Sequence, residues 1–322
     1  LSEHFLITGA LGFIGAWAAR NLIREGVQVT IFDRATDPHR LKLIMTPDEL
    51  ARIRFIEGDI TDTESVERVV GDGITHVLHL AALQVPFCKA DPVMGAKVNV
   101  VGTVNVFEAL KKAGLKHLAY ASSIAVFGSS DDYDAAPLTD DAPLKPQTLY
   151  GVYKQANEGT ARVYFQDAGI SSIGLRPYTV YGVGRDQGLT SAPTKAMLAA
   201  AAGQGYHIPF GGRSAYQYAD DVAKIFIMAA RAQHNRADVF NLRGSIAHMS
   251  EMVSAIERAA PAVTGKITFD PQPLPFPEET DDSGLASAIG SPPDKSLEDG
   301  VAETVALFRT ALSEGRLSLP SA

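Results

Sequence analysis

The chain has 322 residues, 46% of them hydrophobic and 20% charged, which is ordinary globular composition with enough apolar material for a large core or two smaller ones. Its 29 basic and 37 acidic side chains leave a formal charge of −8, and the basic residues are scattered, so nucleic acid is excluded as a partner. The lone cysteine, Cys88, rules out an intrachain disulfide or a cysteine metal cluster, and no apolar run reaches the roughly 18–20 residues that span a bilayer.

The first half alternates short β-branched runs with longer amphipathic ones. "HFLIT" (4–8), "VQVTIF" (27–32), "RIRFIEG" (52–58), "THVLHLAA" (75–82), "KHLAYASS" (116–123) and "SSIGLRP" (171–177) read as buried strands. Residues 13–25, 62–71, 95–113 and the stretch beginning near Thr148 carry helical spacing. That alternation predicts an α/β fold, a Rossmann-type doubly wound parallel sheet covered by helices on both faces. After about residue 178 the regularity fails. Helical patterns at 190–203, 219–232, 249–260 and 297–313 are split by Gly- and Pro-rich stretches, and "FDPQPLPFPEETDDSG" (269–284) has too many prolines for a long helix. We therefore expect a nucleotide-binding unit over 1–177 and a smaller C-terminal, mainly substrate-binding lobe over 178–322, with a return to the sheet near 238–242.

"LITGALGFIG" sets Gly9, Gly12 and Gly15 between the first strand and the first helix. Glycines there let the backbone turn sharply and approach a pyrophosphate, which the free amides of a helix start attract. The expected binding loop runs from Gly9 to Gly15 and includes Leu11, Phe13 and Ile14. Asp33 closes the second strand, where a carboxylate accepts both ribose hydroxyls of an adenosine and repels a 2′-phosphate. NAD is the expected cofactor; Arg34, directly after it, leaves NADP open.

"LYGVYKQANEG" (149–159) holds two tyrosines and one lysine. Tyr150 and Lys154 are four apart and share a helix face, whereas Tyr153 would need a cation at 157 and finds Asn157. An ammonium beside Tyr150 would favour the phenolate and suit it to acid/base work, leaving Tyr153 to packing. His76 and His79 lie on one predicted strand with opposite facing, so no metal site is expected.

Taken together, the glycine loop, Asp33, "GDITD" (58–62), "HLAA" (79–82), Asn99, "SSIAVFG" (122–128), Tyr150/Lys154 and "RPYTVYG" (176–182) closely resemble the extended short-chain dehydrogenase/reductase family, its NAD-dependent epimerase/dehydratase group, over about residues 4–245. The resemblance implies that Tyr150 is the acid/base, that Lys154 lowers its pKa and holds the nicotinamide ribose, and that Ser123 binds the reacting hydroxyl or carbonyl. It sets Asp59 and Ile60 against the adenine and Leu80, Ala81 and Ala82 along the cofactor channel, with Asn99 and Ser122 nearby. Pro177, Tyr178 and Val180 would seat the nicotinamide. Phe127 departs from the pattern, since relatives often carry tyrosine there. The family also implies a homodimer built on the helices 95–113 and 149–168.

For the substrate, relatives acting on sugar nucleotides commonly carry an arginine two residues before the tyrosine of "AYQYADDVA" (215–223); here that position is Ser214, with Arg213 one place off. Cations are also sparse between 259 and 296, where only Lys266 and Lys295 occur. A small polyol (a free sugar, sugar acid or hydroxy acid) is therefore expected, with Gln84, Ser123, Arg185, Arg213 and Tyr216 as pocket residues. The expected protein is a cytoplasmic NAD-dependent dehydrogenase without a secretory leader. The alternatives are a sugar or nucleotide-sugar epimerase holding its NAD tightly, less readily a dehydratase because Ile124, Ala125 and Val126 follow Ser123 with no carboxylate, and last a non-enzymatic dinucleotide sensor.

Overall fold

The computed structural model describes residues 2–134 and 136–317; the last five residues of the expected second unit lie outside this description. Seven strands form one sheet, all parallel: β1 (His4–Thr8), β2 (Gln28–Asp33), β3 (Ile53–Glu57), β4 (His76–His79), β5 (His117–Ala121), β6 (Ser171–Arg176) and β10 (Ala237–Asn241), in the spatial order β10-β6-β5-β4-β1-β2-β3. The apolar runs of the inner strands β1, β4, β5 and β6 pair because, covered on both faces, they have little polar surface to show to water, whereas edge strand β3 leaves Arg54, Phe55 and Glu57 exposed. Between β6 and β10 the chain leaves the sheet to build β7 (Thr179–Tyr181), β8 (Tyr206–Ile208) and β9 (Arg213–Tyr218). With β11 (Ser245–His248) and β12 (Ile267–Phe269) these make two small sheets, β11-β9-β7 and β12-β8.

Helices cover both faces. In the first half they are α1 (Phe13–Arg24), α2 (His39–Ile44), α3 (Pro47–Ala51), α4 (Thr63–Val70), α5 (Val85–Ala90), α6 (Pro92–Ala96), α7 (Gly102–Ala113, joined to α6 by one π turn) and α8 (Leu149–Ala168). The remainder are α9 (Ala192–Ala201), α10 (Ala219–Arg231), α11 (Met249–Ala259), α12 (Ser283–Ile289) and α13 (Leu297–Ser313). One face packs α4, α7 and α8 through Val66, Phe107 and Ala161; the other packs α1 and α10 through Trp17, Ala19 and Phe226. This second core runs unbroken into the C-terminal lobe, reaching Met252, Val305 and Phe308. The Trp17 indole spans the two halves by donating to the Val183 carbonyl at 2.9 Å.

α2, α3, α5, α12 and the short lobe strands were not anticipated from the sequence. They are five to seven residues for those helices and three to six for β7, β8, β9, β11 and β12, too brief for periodicity to show. His79 is buried between the Thr8 and Thr103 hydroxyls at 2.8 and 2.9 Å, and burial pulls its pKa down to about 3, so it stays neutral. His76 instead stacks on Phe5 with ring centroids 4.5 Å apart. Among the described residues no helix is long and apolar enough to cross a membrane.

Candidate active site

The carboxyl ends of the parallel strands open into one cleft of about 860 Å³, at the point where the strand order turns from β1–β2–β3 to β4–β5–β6. Gly9 continues β1 in the left-handed region (φ 72°), and a Cβ there would lie 2.6 Å from the Ala81 backbone nitrogen and Cα. Only glycine lets the first loop press against the loop after β4. Gly9→Ala should therefore cost about 1–2 kcal/mol from its backbone conformation alone, with the clash adding to it, and urea unfolding reads the loss.

α1 begins at Gly12 with no side-chain cap and no acid in its first turn. Its leading amides thus face the cleft wall formed by Gly12, Phe13, Ile14 and Gly15. Asp33 ends β2 and accepts the Leu11 and Ala35 amides, each at 3.0 Å, which fixes its carboxylate at the rim.

The opposite end holds the residues expected to do chemistry. Thr148 caps α8 by accepting the Gly151 amide at 3.0 Å. A Cβ on Gly151 would lie 2.1 Å from the Ala125 carbonyl oxygen, so this glycine permits the start of α8 to press onto the turn after β5. That contact brings Tyr150 and Lys154 to the same wall as Ser123. The Lys154 ammonium donates to the Ala121 carbonyl at 2.7 Å and lies 5.6 Å from the Tyr150 ring centroid. Burial pulls the Lys154 pKa down to about 8, with Cys88 and Glu158 opposing. Burial pushes the Tyr150 phenol up; the Ser123 hydroxyl and the Arg185 guanidinium pull against it. The expected net lowering by Lys154 is therefore not what the protein alone produces, and the opposing positive charge comes from Arg185. Tyr153 lies off the cleft, its hydroxyl donating to the Pro92 carbonyl at 2.9 Å.

Of the other expected residues, Leu11, Arg34, Asp59, Ile60, Leu80, Ala81, Ala82, Ser122, Pro177, Tyr178, Val180, Gln84 and Arg185 all line the cleft. Ser122 spends its hydroxyl on Glu158. Three residues lie elsewhere. Asn99 is buried behind the wall, accepting the Leu83 amide at 2.8 Å and donating to the Leu83 carbonyl at 3.0 Å, so it shapes the loop before Gln84 rather than meeting a ligand. Arg213 is exposed at the start of β9, because strand alternation turns its neighbour Ser214 inward to Thr179 at 3.1 Å. Tyr216 is buried with its hydroxyl 3.8 Å from the Met249 sulfur. Neither Arg213 nor Tyr216 reaches the cleft.

Sequence reasoning missed Arg40, which donates to the Leu11 carbonyl at 2.9 Å, to the Gly184 carbonyl at 3.2 Å and to Asp186 at 2.7 Å, tying the two sides of the cleft together. It also missed Thr148, Pro275 and Phe276 on the wall. Only Thr148 had a local signal, its place as the cap before "LYG".

Residues 5–242 match the model of the NAD dependent epimerase/dehydratase family. The chain belongs to this family. It is 30% identical over 280 residues to a UDP-glucose 4-epimerase of Lactobacillus helveticus, a match that spans 81% of each chain. The solved UDP-glucose 4-epimerase of Thermotoga maritima, with UDP-glucose, is similar at a TM-score of 0.82 and 25% identity, covering 96% of this chain and 100% of that one. The enzyme of the same name from Thermus thermophilus, in complex with NAD, gives 0.79 at 26% identity with the same coverage.

As an epimerase/dehydratase-family member the protein is an NAD-dependent enzyme of the extended short-chain dehydrogenase/reductase type. Its cleft fits that cofactor: uncapped amides at the start of α1 suit a pyrophosphate, and a fixed carboxylate at the end of β2 suits an adenosine ribose.

Proposed function

We propose that this enzyme is a dehydrogenase that exchanges hydride between NAD and a secondary alcohol or ketone of a small polyol, such as a sugar or sugar acid. The charge inventory of the cleft carries the reading. Its basic lining residues are Arg34, Arg40, Lys154 and Arg185. Arg34 adjoins Asp33 at the adenosine end, Arg40 is committed to Asp186, and Lys154 sits beneath Tyr150. One guanidinium, Arg185, remains for the substrate, which is a poor complement to the two phosphates of a sugar nucleotide.

NAD held along this cleft would supply the hydride acceptor for carbinol oxidation and, in reduced form, the donor for carbonyl reduction. Tyr150 moves the proton at the substrate oxygen, and because burial keeps its phenol neutral it stands ready to donate during ketone reduction. Ser123 holds the same oxygen, and the Lys154 ammonium, fixed by Ala121, binds the nicotinamide ribose and balances the phenolate when it forms. The amides from Phe13 to Gly15 hold the pyrophosphate, Asp33 the adenosine ribose, and Asp59 and Ile60 the adenine. Asp33→Asn should weaken NAD binding by about 10–100-fold, the loss of hydrogen bonds to a charged acceptor, and narrow the preference over NADP; fluorescence titration with both dinucleotides checks this.

A second reading, a nucleotide-sugar epimerase, is favoured by the 30% identity to a UDP-glucose 4-epimerase. The two separate on one preparation. An enzyme that emerges free of dinucleotide and forms NADH with free sugars or sugar acids is a dehydrogenase. Stoichiometric retained NAD with interconversion of UDP-sugars overturns that assignment.

The same reading includes a cytoplasmic homodimer. Val93, Val101, Leu149, Val152 and Val163, on or beside α6, α7 and α8, are large apolar side chains between 44% and 67% exposed, and pairing α7 and α8 with a second copy would cover this face. Sedimentation velocity tests it, a monomer at micromolar concentration being the contrary result.

A further inference from the structure

Arg185 occupies an unusual place. It lies in the loop after β7, and its guanidinium sits over the Phe13 ring, 5.8 Å from the centroid, in the cleft that Tyr150 also lines. Among the described residues it forms no ion pair, since the neighbouring acid, Asp186, is gripped by Arg40 through both carboxylate oxygens at 2.7 and 3.0 Å. One nitrogen donates to the Thr190 hydroxyl at 2.8 Å, while Nε is buried without any partner. A guanidinium with a buried, unpartnered donor is costly unless an acceptor completes it.

The surroundings suit a small anion. Gln84 extends its amide towards the same spot: a Cβ on Gly188 would lie 2.8 Å from the Gln84 Oε1 and 3.5 Å from the Arg185 Nη2. The Gln84 side chain makes no hydrogen bond to the described residues and caps nothing. The Gln84 side chain and the Arg185 guanidinium, with Thr190 bonded to it, thus flank Gly188 on the cleft, and Arg185 is near enough to Tyr150 for its charge to act on the phenol. The lining residues contributed from further along the chain, Pro275 and Phe276, are apolar.

We infer that the substrate is a hydroxy acid whose carboxylate is bound by Arg185, with Gln84 and Thr190 beside it, close to the carbinol that Tyr150 serves. The inference rests on the proposed dehydrogenase function and narrows it from polyols in general to polyhydroxy carboxylic acids. A planar guanidinium fork matches a carboxylate, so Arg185 reads the acid and excludes the corresponding neutral sugar. Lysine at 185 keeps the charge and loses the fork.

The test is a panel of four- to six-carbon aldonates and uronates, each with its neutral alditol or aldose, together with UDP-glucose, assayed with NAD on the wild-type enzyme, Arg185→Gln and Arg185→Lys. The expected result is NADH formation with at least one acid, at a kcat/KM on the order of 10-fold or more above its neutral counterpart. Arg185→Gln should raise KM for that acid by roughly 100-fold and abolish the preference, with NAD affinity retained; Arg185→Lys should recover part of the loss. A neutral sugar as the best substrate, no acid that forms NADH, or an acid preference that survives Arg185→Gln overturns the inference. In the first and third cases the dehydrogenase reading stands. Epimerisation of UDP-glucose without release of NADH sinks that reading itself.

Discussion

Tyr150→Phe should lower kcat/KM by about 10²–10⁴-fold and leave NAD affinity nearly unchanged. The ring stays, so the wall it forms with Lys154 and Ser123 keeps its shape, and only the hydroxyl that moves the proton is lost. Tyr153→Phe removes a hydroxyl that donates to the Pro92 carbonyl outside the cleft, so its effect should be confined to a small loss of stability. Steady-state rates and NAD titrations on both variants decide the matter. A crippled Tyr153→Phe beside an active Tyr150→Phe would reverse the assignment. Replacing Lys154 would be less informative, because it would remove the buried ammonium's bond to Ala121 along with its charge.

A second large effect is expected four residues further along α8. Glu158 takes both arms of the Arg176 guanidinium at 2.9 Å and also accepts the Ser122 hydroxyl. The two charged side chains are only 8% and 4% exposed, so water cannot replace a missing partner. Glu158→Ala should destabilise the fold by about 3–5 kcal/mol by stranding Arg176, which would keep only the Asp140 carbonyl and the Asn241 side chain as acceptors. Urea unfolding measures the loss. The double variant Glu158→Leu with Arg176→Met should recover most of it, since the uncompensated charge is then gone. If the double variant is no more stable than Glu158→Ala, the cost lies in packing against Phe127, over which Arg176 stacks at 4.9 Å.

The strands of the first half were legible because each is an apolar run bounded by turn residues and followed by a helical pattern, as in β1 and α1. The placement of Tyr150 beside Lys154 in α8 was legible for a similar reason: a four-residue spacing on one helix is a local fact, and the two needed nothing from elsewhere to share a face. Arg213 and Tyr216 were misjudged because their direction depends on the alternation of β9, a six-residue strand whose partners β7 and β11 come from distant parts of the chain. Asn99, expected near the cofactor channel, is buried behind the wall, a position that leaves no sequence trace distinct from a place on it. Arg40 and Phe276 were invisible for a third reason: each reaches the cleft from a segment with no motif, brought there only by the fold. The direction of the Tyr150 pKa likewise depends on how deeply the phenol is enclosed, which four-residue spacing cannot reveal.

The path of the chain between β6 and β10 bears on how such an enzyme changes its trade. Everything from Pro177 to Arg236 is a detour: the backbone departs from one strand of the central sheet and comes back as that strand's immediate neighbour, in parallel register from Ser172 against Ala237 to Arg176 against Asn241. Arg185, Gly188 and Thr190 belong to that detour, whereas the glycine loop, Asp33, Ser123, Tyr150 and Lys154 precede it. An exchange confined to the excursion from Arg185 onward would therefore alter the cleft wall around Gly188 and Thr190 while keeping Pro177, Tyr178 and Val180, which line the cleft from its first residues. The opposite operation carries a penalty. A fragment that stopped at Arg176 would expose β6 as a raw edge, with unpaired amides along Ser172–Arg176 inviting other chains to add on. The segment that carries Arg185 thus also leads the chain back to β10, which closes the sheet's margin.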